Sequence, residues 1–193
     1  KVIPFRMNAD QEKFLAERHG LDIVLKARQK GFTTIIQLDM LDDCLFNDNI
    51  AAGVIAHNLK DAQSFFRDKI KFAYDRLPAA FRAKIAAEQD AADSLRFSNG
   101  SSMRVGTSLR SGTLQRLHVS EYGKLCAKFP EKAREVKSGA FNTVQAGQRI
   151  TVESTAEGQA GHFFEITQAA RHKQDAGSIL TSLDFKFHFA PWW

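Results

Sequence analysis

The 193-residue sequence is poor in cysteine and has no long hydrophobic run. Its two cysteines, Cys44 and Cys126, are far apart and match no metal-binding spacing, so we expect reduced thiols of a cytosolic protein. No apolar segment reaches the length of a membrane span, and the N-terminal residues lack the apolar region of a signal peptide. Internal repeats, low-complexity tracts and interdomain linkers are also lacking. The sequence therefore predicts one compact domain spanning residues 1–193.

The sequence does contain a modest excess of basic residues. Lysine and arginine total 27 against 22 acidic residues, and this net charge of +5 favours a polyanionic partner without establishing one. The chain begins at Lys1 without a methionine and ends on two tryptophans, Trp192 and Trp193. Two exposed tryptophans are an unusual natural end, so we expect a fragment of a longer polypeptide.

Helical and strand-like segments alternate along the chain. Helices are predicted over residues 8–18, 33–46, 59–77, 78–89, 130–139 and 162–171, and strands over 21–25, 52–56, 95–98, 102–106, 115–119, 149–153 and 183–189. Asn8 and Gln11 form a predicted capping box, and Asn99-Gly100 is a predicted hairpin turn. This order predicts an α/β fold with a mostly parallel central sheet, helices on both faces and an edge strand near the end.

Residues 26–34, between the first predicted strand and the next helix, have the context of a phosphate-binding loop. Gly31 and Thr33 occupy the second-glycine and hydroxyl positions of the pattern G-x-x-x-x-G-K-[ST], but Phe32 replaces its lysine. The cations that can reach a bound phosphate are Lys26, Arg28 and Lys30. On these residues alone, a phosphate loop and a solvated basic turn are both compatible with the sequence.

Polar residues also follow two later predicted strands. Glu121 can orient a water molecule for in-line attack on a phosphate, whereas Ser120 offers a metal ion only a neutral or water-mediated contact. Ser154 and Thr155 place hydroxyls where open α/β sheets bind ligands. The alternatives are a capped turn after the first strand and a helix cap after the second. Gln11 fits either an adenine contact or its capping role.

Together these residues resemble the ATPase domain of the large terminase subunit of tailed bacteriophages or prophages, the motor that pumps DNA into an empty capsid. The resemblance covers nearly the whole chain and is carried by Gln11, Lys-Ala-Arg-Gln-Lys-Gly-Phe-Thr-Thr at 26–34, Ala56-His57 with Ala62 and Phe66, Arg110-Ser-Gly112, His118-Val-Ser-Glu121, and Glu-Ser-Thr-Ala-Glu-Gly-Gln-Ala-Gly-His-Phe-Phe-Glu-Ile at 153–166. Lys26 fits the terminase variant in which the loop lysine comes first. Phe32 and Ser120 depart from the usual lysine and aspartate.

The resemblance implies a P-loop NTPase fold of the ASCE/RecA-like type, with ATP and Mg²⁺ as cofactors. It implies ATP binding by Gln11, Lys26, Arg28, Gln29, Lys30, Gly31, Phe32, Thr33 and Thr34, with Gln11 on adenine and Lys26, or else Lys30, on phosphate. Glu121 would activate water, Thr33 and Ser120 would hold Mg²⁺, and Ser154, Thr155 and Gly158 would couple hydrolysis to movement. Arg28 would stabilise transition-state charge, with an arginine of a neighbouring subunit as an equal alternative and Arg110 as a lesser one.

The resemblance further implies double-stranded DNA, a portal protein and a small terminase subunit as partners. It implies a homo-oligomeric ring on the procapsid, a monomer in isolation, no membrane association, and a location in the cytoplasm of the bacterial host. The family's C-terminal nuclease domain is expected beyond Trp193, so DNA cleavage is not expected of this chain. Two alternatives remain open: a helicase-type ATPase and a catalytically inactive nucleotide-fold module that binds nucleic acid or a capsid partner.

Overall fold

A mostly parallel sheet forms the centre of the molecule. The computed structural model describes residues 4–109 and 112–193. The strands are β1 (Leu21–Lys26), β2 (Ala51–Ile55), β3 (Ala87–Asp90), β4 (Ser94–Phe97), β5 (Ser102–Gly106), β6 (Leu114–Ser120), β7 (Val144–Ser154) and β8 (Lys186–Ala190). Their order across the sheet is β3-β4-β5-β2-β6-β7-β1-β8. The strands from β5 to β8 in this order run parallel, and β3 and β4 extend the opposite edge in antiparallel pairing.

Helices cover both faces of this sheet. They are α1 (Ala9–Glu17), α2 (Phe32–Phe46), α3 (Leu59–Phe65), α4 (Phe72–Asp75), α5 (Ala79–Lys84), α6 (Tyr122–Lys128), α7 (Pro130–Glu135) and α8 (His162–Asp175). Helices α1 to α4 pack on one face around Phe66 and Ile70, while α6 to α8 pack on the other face around Tyr122 and Leu125. The α/β fold predicted from the sequence, with helices on both faces, is confirmed.

Several local signals form the structure that they predict. Asn8 and Gln11 make both hydrogen bonds of the capping box at the start of α1. Asn58 caps α3 by accepting a hydrogen bond from the N–H of Asp61. Strands β4 and β5 pair across the turn that contains Gly100, whose φ is +79°. The edge strand predicted over 183–189 is found as β8 beside β1.

Other boundaries differ from the prediction. The helix predicted over 78–89 ends at Lys84, and residues 87–90 form β3 because their backbone groups pair with β4. Helix α6 was not predicted. The helix predicted over 59–77 is interrupted by a π-helical turn at Phe66–Lys71, and the one predicted over 130–139 continues from α7 into a π-helical turn at Val136–Ala140. Strand β7 begins five residues before its predicted start at 149.

Both cysteines are free thiols, with Cys44 buried and Cys126 half-buried. No helix formed by residues 4–109 or 112–193 has the length and apolar character needed to cross a membrane.

Candidate nucleotide-binding site

The loop between β1 and α2 is held in a fixed shape by α1. Gln29 and Gly31 both have positive φ angles, +61° and +72°, and Gly31 immediately precedes α2. The side chain of Gln11 donates a hydrogen bond to the carbonyl of Lys30 at 3.1 Å. The positive φ of Gly31 favours glycine, and a Cβ atom there would lie 2.4 Å from that Gln11 nitrogen and displace the Gln11 side chain from the loop. The turn thus directs the N-terminus of α2, a site suited to an anion, towards the carboxyl edge of the sheet.

Lys26, the last residue of β1, points its ammonium at two carboxylates. Its Nζ lies 2.8 Å from Glu121 Oε1 and 3.1 Å from Glu153 Oε2, although the side chain is only 6% exposed. Burial alone would lower the pKa of Lys26, but the charges of Glu153 and Glu121 outweigh burial and raise it above its usual value. Lys26 is therefore a charged, buried cation at the front of the loop.

Glu121 follows β6 directly and has a left-handed backbone conformation, with φ +53° and ψ +43°. Such a conformation is uncommon for a residue with a Cβ atom and is often found at functional sites. It ends the strand, starts α6 and turns the carboxylate towards Lys26. The water-orienting role of Glu121 stays a prediction.

Glu153 is the most buried charged group of the site, with no exposed side-chain surface. Its Oε1 accepts hydrogen bonds from the hydroxyls of Thr33 at 2.9 Å and Ser120 at 2.7 Å, and His118 Nε2 lies 3.4 Å away. Burial would raise the pKa of Glu153, but His118, Lys26 and Ser120 outweigh burial and lower it to about 2. Glu153 therefore stays ionised and links the loop between β1 and α2 to β6 and β7.

Three neighbouring strands bring these groups together. β6, β7 and β1 lie side by side and parallel, so their carboxyl ends meet at one edge. The register pairs Ser120 with Glu153, so a carboxylate of β7 lies beside the hydroxyl that ends β6. An ammonium, two carboxylates and two hydroxyls at the carboxyl edge of a parallel sheet are groups that can bind phosphate and a hard metal ion.

Comparison with solved structures identifies the fold. The chain matches the large terminase ATPase domain of Thermus phage P74-26 with a TM-score of 0.62 and 16% identity, covering 97% of this chain and 81% of that one. It matches the large terminase of bacteriophage HK97 with a TM-score of 0.66 and 16% identity, covering 96% of this chain and 40% of that one. The large terminase of a thermophilic bacteriophage, in complex with ATP-γ-S, matches with a TM-score of 0.59 and 9% identity, covering 95% and 44%.

The fold is that of a phage large-terminase ATPase domain. The recognition made from the sequence is thereby confirmed at the level of fold. The chain spans less than half the length of the HK97 large terminase and of the large terminase solved with ATP-γ-S. No protein-family model matches the sequence, and no curated protein matches it.

Within this terminase-type fold, two residues predicted to bind ATP, Phe32 and Gln11, already make structural contacts. The Phe32 side chain is 2% exposed and packs edge-on against Phe14 with ring centroids 5.7 Å apart. Phe32 can therefore face a phosphate only through its backbone N–H. Gln11 uses its Oε1 in the capping box and its Nε2 on the loop, so its adenine contact stays a prediction that requires one of these bonds to open.

The remaining cations of the loop point in different directions. Lys30 Nζ pairs with Asp10 of α1 at 2.9 Å. Arg28 and Gln29 are exposed, and within the described part of the chain the Arg28 side chain makes no hydrogen bond or ion pair. Of the three loop cations, Lys26 alone contacts the candidate catalytic carboxylates. Arg110 lies outside the described residues.

The three residues predicted to couple hydrolysis to movement lie at the end of β7. Ser154 alternates with Glu153 and faces α6, where a Cβ atom on Gly123 would come within 2.8 Å of Ser154 Oγ. The same Cβ would lie 3.1 Å from the carbonyl of Thr155. Gly158 is exposed with φ +97°. The turn after β7 thus packs closely on the helix that begins at Glu121.

Sequence reasoning did not assign a role to three residues near this site. Glu153 and His118 are buried on neighbouring strands beneath the loop. Lys69 belongs to the π-helical turn and donates to Thr34 Oγ1 at 3.2 Å, and burial lowers its pKa. From the sequence, Lys69 resembles the other basic residues of an exposed helix face. The signal for Glu153 is its place in the quoted motif, directly after a predicted strand and before Ser154.

The donors present suit magnesium. Thr33, Ser120, Glu121 and Glu153 offer hard oxygen ligands, and Mg²⁺ usually takes one or two protein ligands together with substrate phosphates. In the described ranges, no three or more His, Cys, Asp or Glu side chains are grouped to hold a metal ion. The residues therefore fit an ion that is bound jointly with a nucleotide.

Proposed function

We propose that this chain is the ATP-hydrolysing motor domain of a viral DNA-packaging terminase, which couples ATP hydrolysis to the translocation of double-stranded DNA into a procapsid. The observation that carries the proposal is the contact between Lys26 of the phosphate loop and Glu121 at the end of β6, at 2.8 Å. A cation for phosphate and a carboxylate for water thus meet at the carboxyl edge of a fold shared with terminase ATPase domains.

The loop residues bind and position the nucleotide. Lys26 leaves its two carboxylates and neutralises the phosphates, while the backbone N–H groups at the start of α2 bind phosphate oxygens. Thr33 contributes its hydroxyl to Mg²⁺, and Ser120 contributes a neutral contact. The exposed Arg28 is free to move towards the transferring phosphate, and a neighbouring subunit's arginine remains the alternative. Magnesium supplies charge stabilisation in phosphoryl transfer.

Glu121 orients the attacking water once Lys26 has moved to the phosphates. Because Glu121 is the first residue of the turn into α6, a shift of its carboxylate is transmitted to that helix. Gly123 of α6 lies against Ser154 and Thr155, so the helix and the turn after β7 move together. This contact is the proposed path from hydrolysis to motion.

The wider assignment follows from the motor function. The chain would act in a homo-oligomeric ring on a portal, with double-stranded DNA as the moved substrate and a small terminase subunit as partner, in the cytoplasm of an infected bacterium. The large terminase of the thermophilic bacteriophage was solved with ATP-γ-S, which supports ATP as the nucleotide.

The test is ATP turnover with duplex DNA and Mg²⁺, comparing the intact protein with the Lys26→Ala and Glu121→Gln variants. We expect each variant to lose at least about 100-fold in rate, the usual contribution of a positioned acid–base group for Glu121 and of a charge-stabilising donor for Lys26. Glu131→Gln, which alters an exposed carboxylate of α7, is the matched control and should turn over ATP normally. If the intact protein does no better than Glu121→Gln, the motor assignment fails and the inactive-module alternative replaces it. Strand separation without packaging of duplex DNA would instead favour a helicase.

A further inference from the structure

The buried carboxylate of Glu153 lies where two hydroxyls and an ammonium converge. Oε1 accepts from Thr33 and Ser120, the two hydroxyls predicted to contact magnesium. Oε2 is buried and, among the described residues, has no hydrogen-bond partner; its counter-charge is Lys26 at 3.1 Å. The hydroxyls of Thr33 and Ser120 thus donate to the same carboxylate, which belongs to β7.

Strand β6 ends on Ser120 and so lacks the carboxylate with which P-loop NTPases hold Mg²⁺. In that fold the loop hydroxyl and an aspartate at the end of a neighbouring strand hold Mg²⁺. Ser120 stands at this position of β6 and is neutral. The parallel register places Glu153 directly beside Ser120 on the adjacent strand. The longer glutamate side chain therefore reaches the place that an aspartate at position 120 would fill.

We infer that Glu153, in place of Ser120, supplies the carboxylate that holds the Mg²⁺ of a bound nucleotide. The inference rests on the proposed function. It changes the predicted magnesium ligands from Thr33 and Ser120 to Thr33 and Glu153, with Ser120 orienting the carboxylate through its hydroxyl.

The charge balance at Glu153 requires a second cation. Lys26 compensates the buried carboxylate now, but the proposed function moves Lys26 onto the phosphates. Without Lys26, the fully buried Glu153 carboxylate keeps only neutral hydroxyl donors and the His118 imidazole at 3.4 Å, which is unfavourable for a buried charge. By holding the divalent cation of a nucleotide, Glu153 would regain a counter-charge, and Lys26 would be able to contact phosphate. Binding of the metal ion by Glu153 and release of Lys26 from Glu153 are therefore linked.

A carboxylate relocation experiment tests this. The affinity for a fluorescent ATP analogue is measured with Mg²⁺ and with EDTA, and Mn²⁺ binding in the presence of the same analogue is followed by electron paramagnetic resonance. We expect Mg²⁺ to raise the affinity of the unaltered protein for the analogue at least about tenfold. The Glu153→Gln variant should lose most of this gain and should bind less Mn²⁺. The double variant Ser120→Asp/Glu153→Gln should recover both. Glu157→Gln, in the loop after β7, is the control and should behave as the unaltered protein.

The outcomes separate this inference from the proposed function. A protein that binds no ATP analogue overturns both. If Glu153→Gln keeps the metal-dependent gain, or loses affinity equally with Mg²⁺ and EDTA without rescue by Ser120→Asp, Glu153 is a structural residue and the function stands. Should Glu153→Gln not fold, Glu153→Asp keeps the charge for Lys26 but withdraws it by one methylene. We expect at least a threefold smaller gain from the metal, and an unchanged gain contradicts the inference.

Discussion

The face of β6 and β7 that packs against α2 carries a charged cluster at each end. The upper cluster, at the carboxyl edge, consists of Lys26, Thr33, Ser120, Glu121 and Glu153. The lower cluster consists of Arg18, Asp39, Asp43, Arg116 and Arg149. The register pairs Ser120 with Glu153 and Arg116 with Arg149, four residues earlier on each strand. The two clusters are therefore about 13 Å apart along the same strands.

The clusters differ in burial and in how fully their polar atoms are paired. The Arg149 and Asp43 side chains are 21% and 15% exposed, so water reaches the lower cluster. Lys26 and Glu153 are 6% and 0% exposed, and Glu153 Oε2 has no hydrogen-bond partner among the described residues. The lower cluster thus holds α2 on the sheet, whereas the upper one retains binding capacity. A ligand is expected at the upper end alone.

Breaking the upper cluster should have the largest effect on stability. Lys26→Met leaves the buried Glu153 carboxylate without its main counter-charge, and removing one partner of a buried pair typically costs about 3–5 kcal/mol. We expect a loss of that size in the free energy of unfolding, measured by chemical denaturation at pH 7. The double variant Lys26→Met/Glu153→Gln should recover most of it. A loss below about 1 kcal/mol would mean that Lys26 contributes no more than a surface ion pair.

The acid sensitivity of the fold should also trace to the upper cluster. The pKa of Glu153 is lowered from 4.5 to about 2 on folding, so its contribution is full above 4.5 and disappears as the pH falls towards 2. That shift corresponds to roughly 3 kcal/mol. Denaturation between pH 6 and pH 2 should show a steeper decline for the unaltered protein than for Glu153→Gln. Glu157→Gln should decline like the unaltered protein, and parallel curves for Glu153→Gln would contradict the assignment.

Breaking the lower cluster should affect stability but not ligand binding. Arg149→Met leaves Asp39 and Asp43 partly buried with fewer counter-charges, for which we expect a loss of about 2 kcal/mol. Affinity for the ATP analogue should stay within about twofold, since the lower cluster lies well below the loop. Arg134→Met, in an exposed ion pair with Glu131, is the control and should change neither quantity. A tenfold loss of nucleotide affinity in Arg149→Met would show that the two clusters act as one unit.

The sequence predicted those parts of the fold whose cause is local. Capping by Asn8 and the Gly100 turn depend on neighbouring residues, and apolar periodicity marked the buried strands and α2. Strand β3 depends instead on pairing with β4: its residues Ala87–Asp90 are mostly exposed and show no apolar alternation. Helix α6 is short and starts from the strained Glu121, so no capping signal precedes it. Such elements are set by tertiary contacts.

The sequence predicted those site residues that stand directly at the end of a predicted strand or at the start of a predicted helix. Lys26, Thr33 and Glu121 each adjoin a predicted strand or helix. In the structure Lys26 pairs with Glu121, and Thr33 donates a hydrogen bond to Glu153. Two features depend on spatial neighbours and could not be read from one segment: Glu153 reaches β6 through the register of β7, and Phe32 turns into the core against Phe14. The proposed choice of Lys26 over Lys30 likewise rests on a spatial contact, because Lys30 pairs with Asp10.

The smallest expected change in stability concerns Gln37, which lies in α2 between the two charged clusters. Gln37 lies one helical turn after Thr33 in α2 and is fully buried, and within the described residues neither of its amide atoms has a hydrogen-bond partner. A buried amide without a partner is destabilising, so Gln37→Leu should raise the free energy of unfolding by about 1 kcal/mol. Gln168→Leu, on the half-exposed side of α8, should leave it unchanged. If Gln37→Leu destabilises instead, the amide is hydrogen-bonded in solution through buried water, and the polar contacts of the two clusters are continuous beneath the phosphate loop.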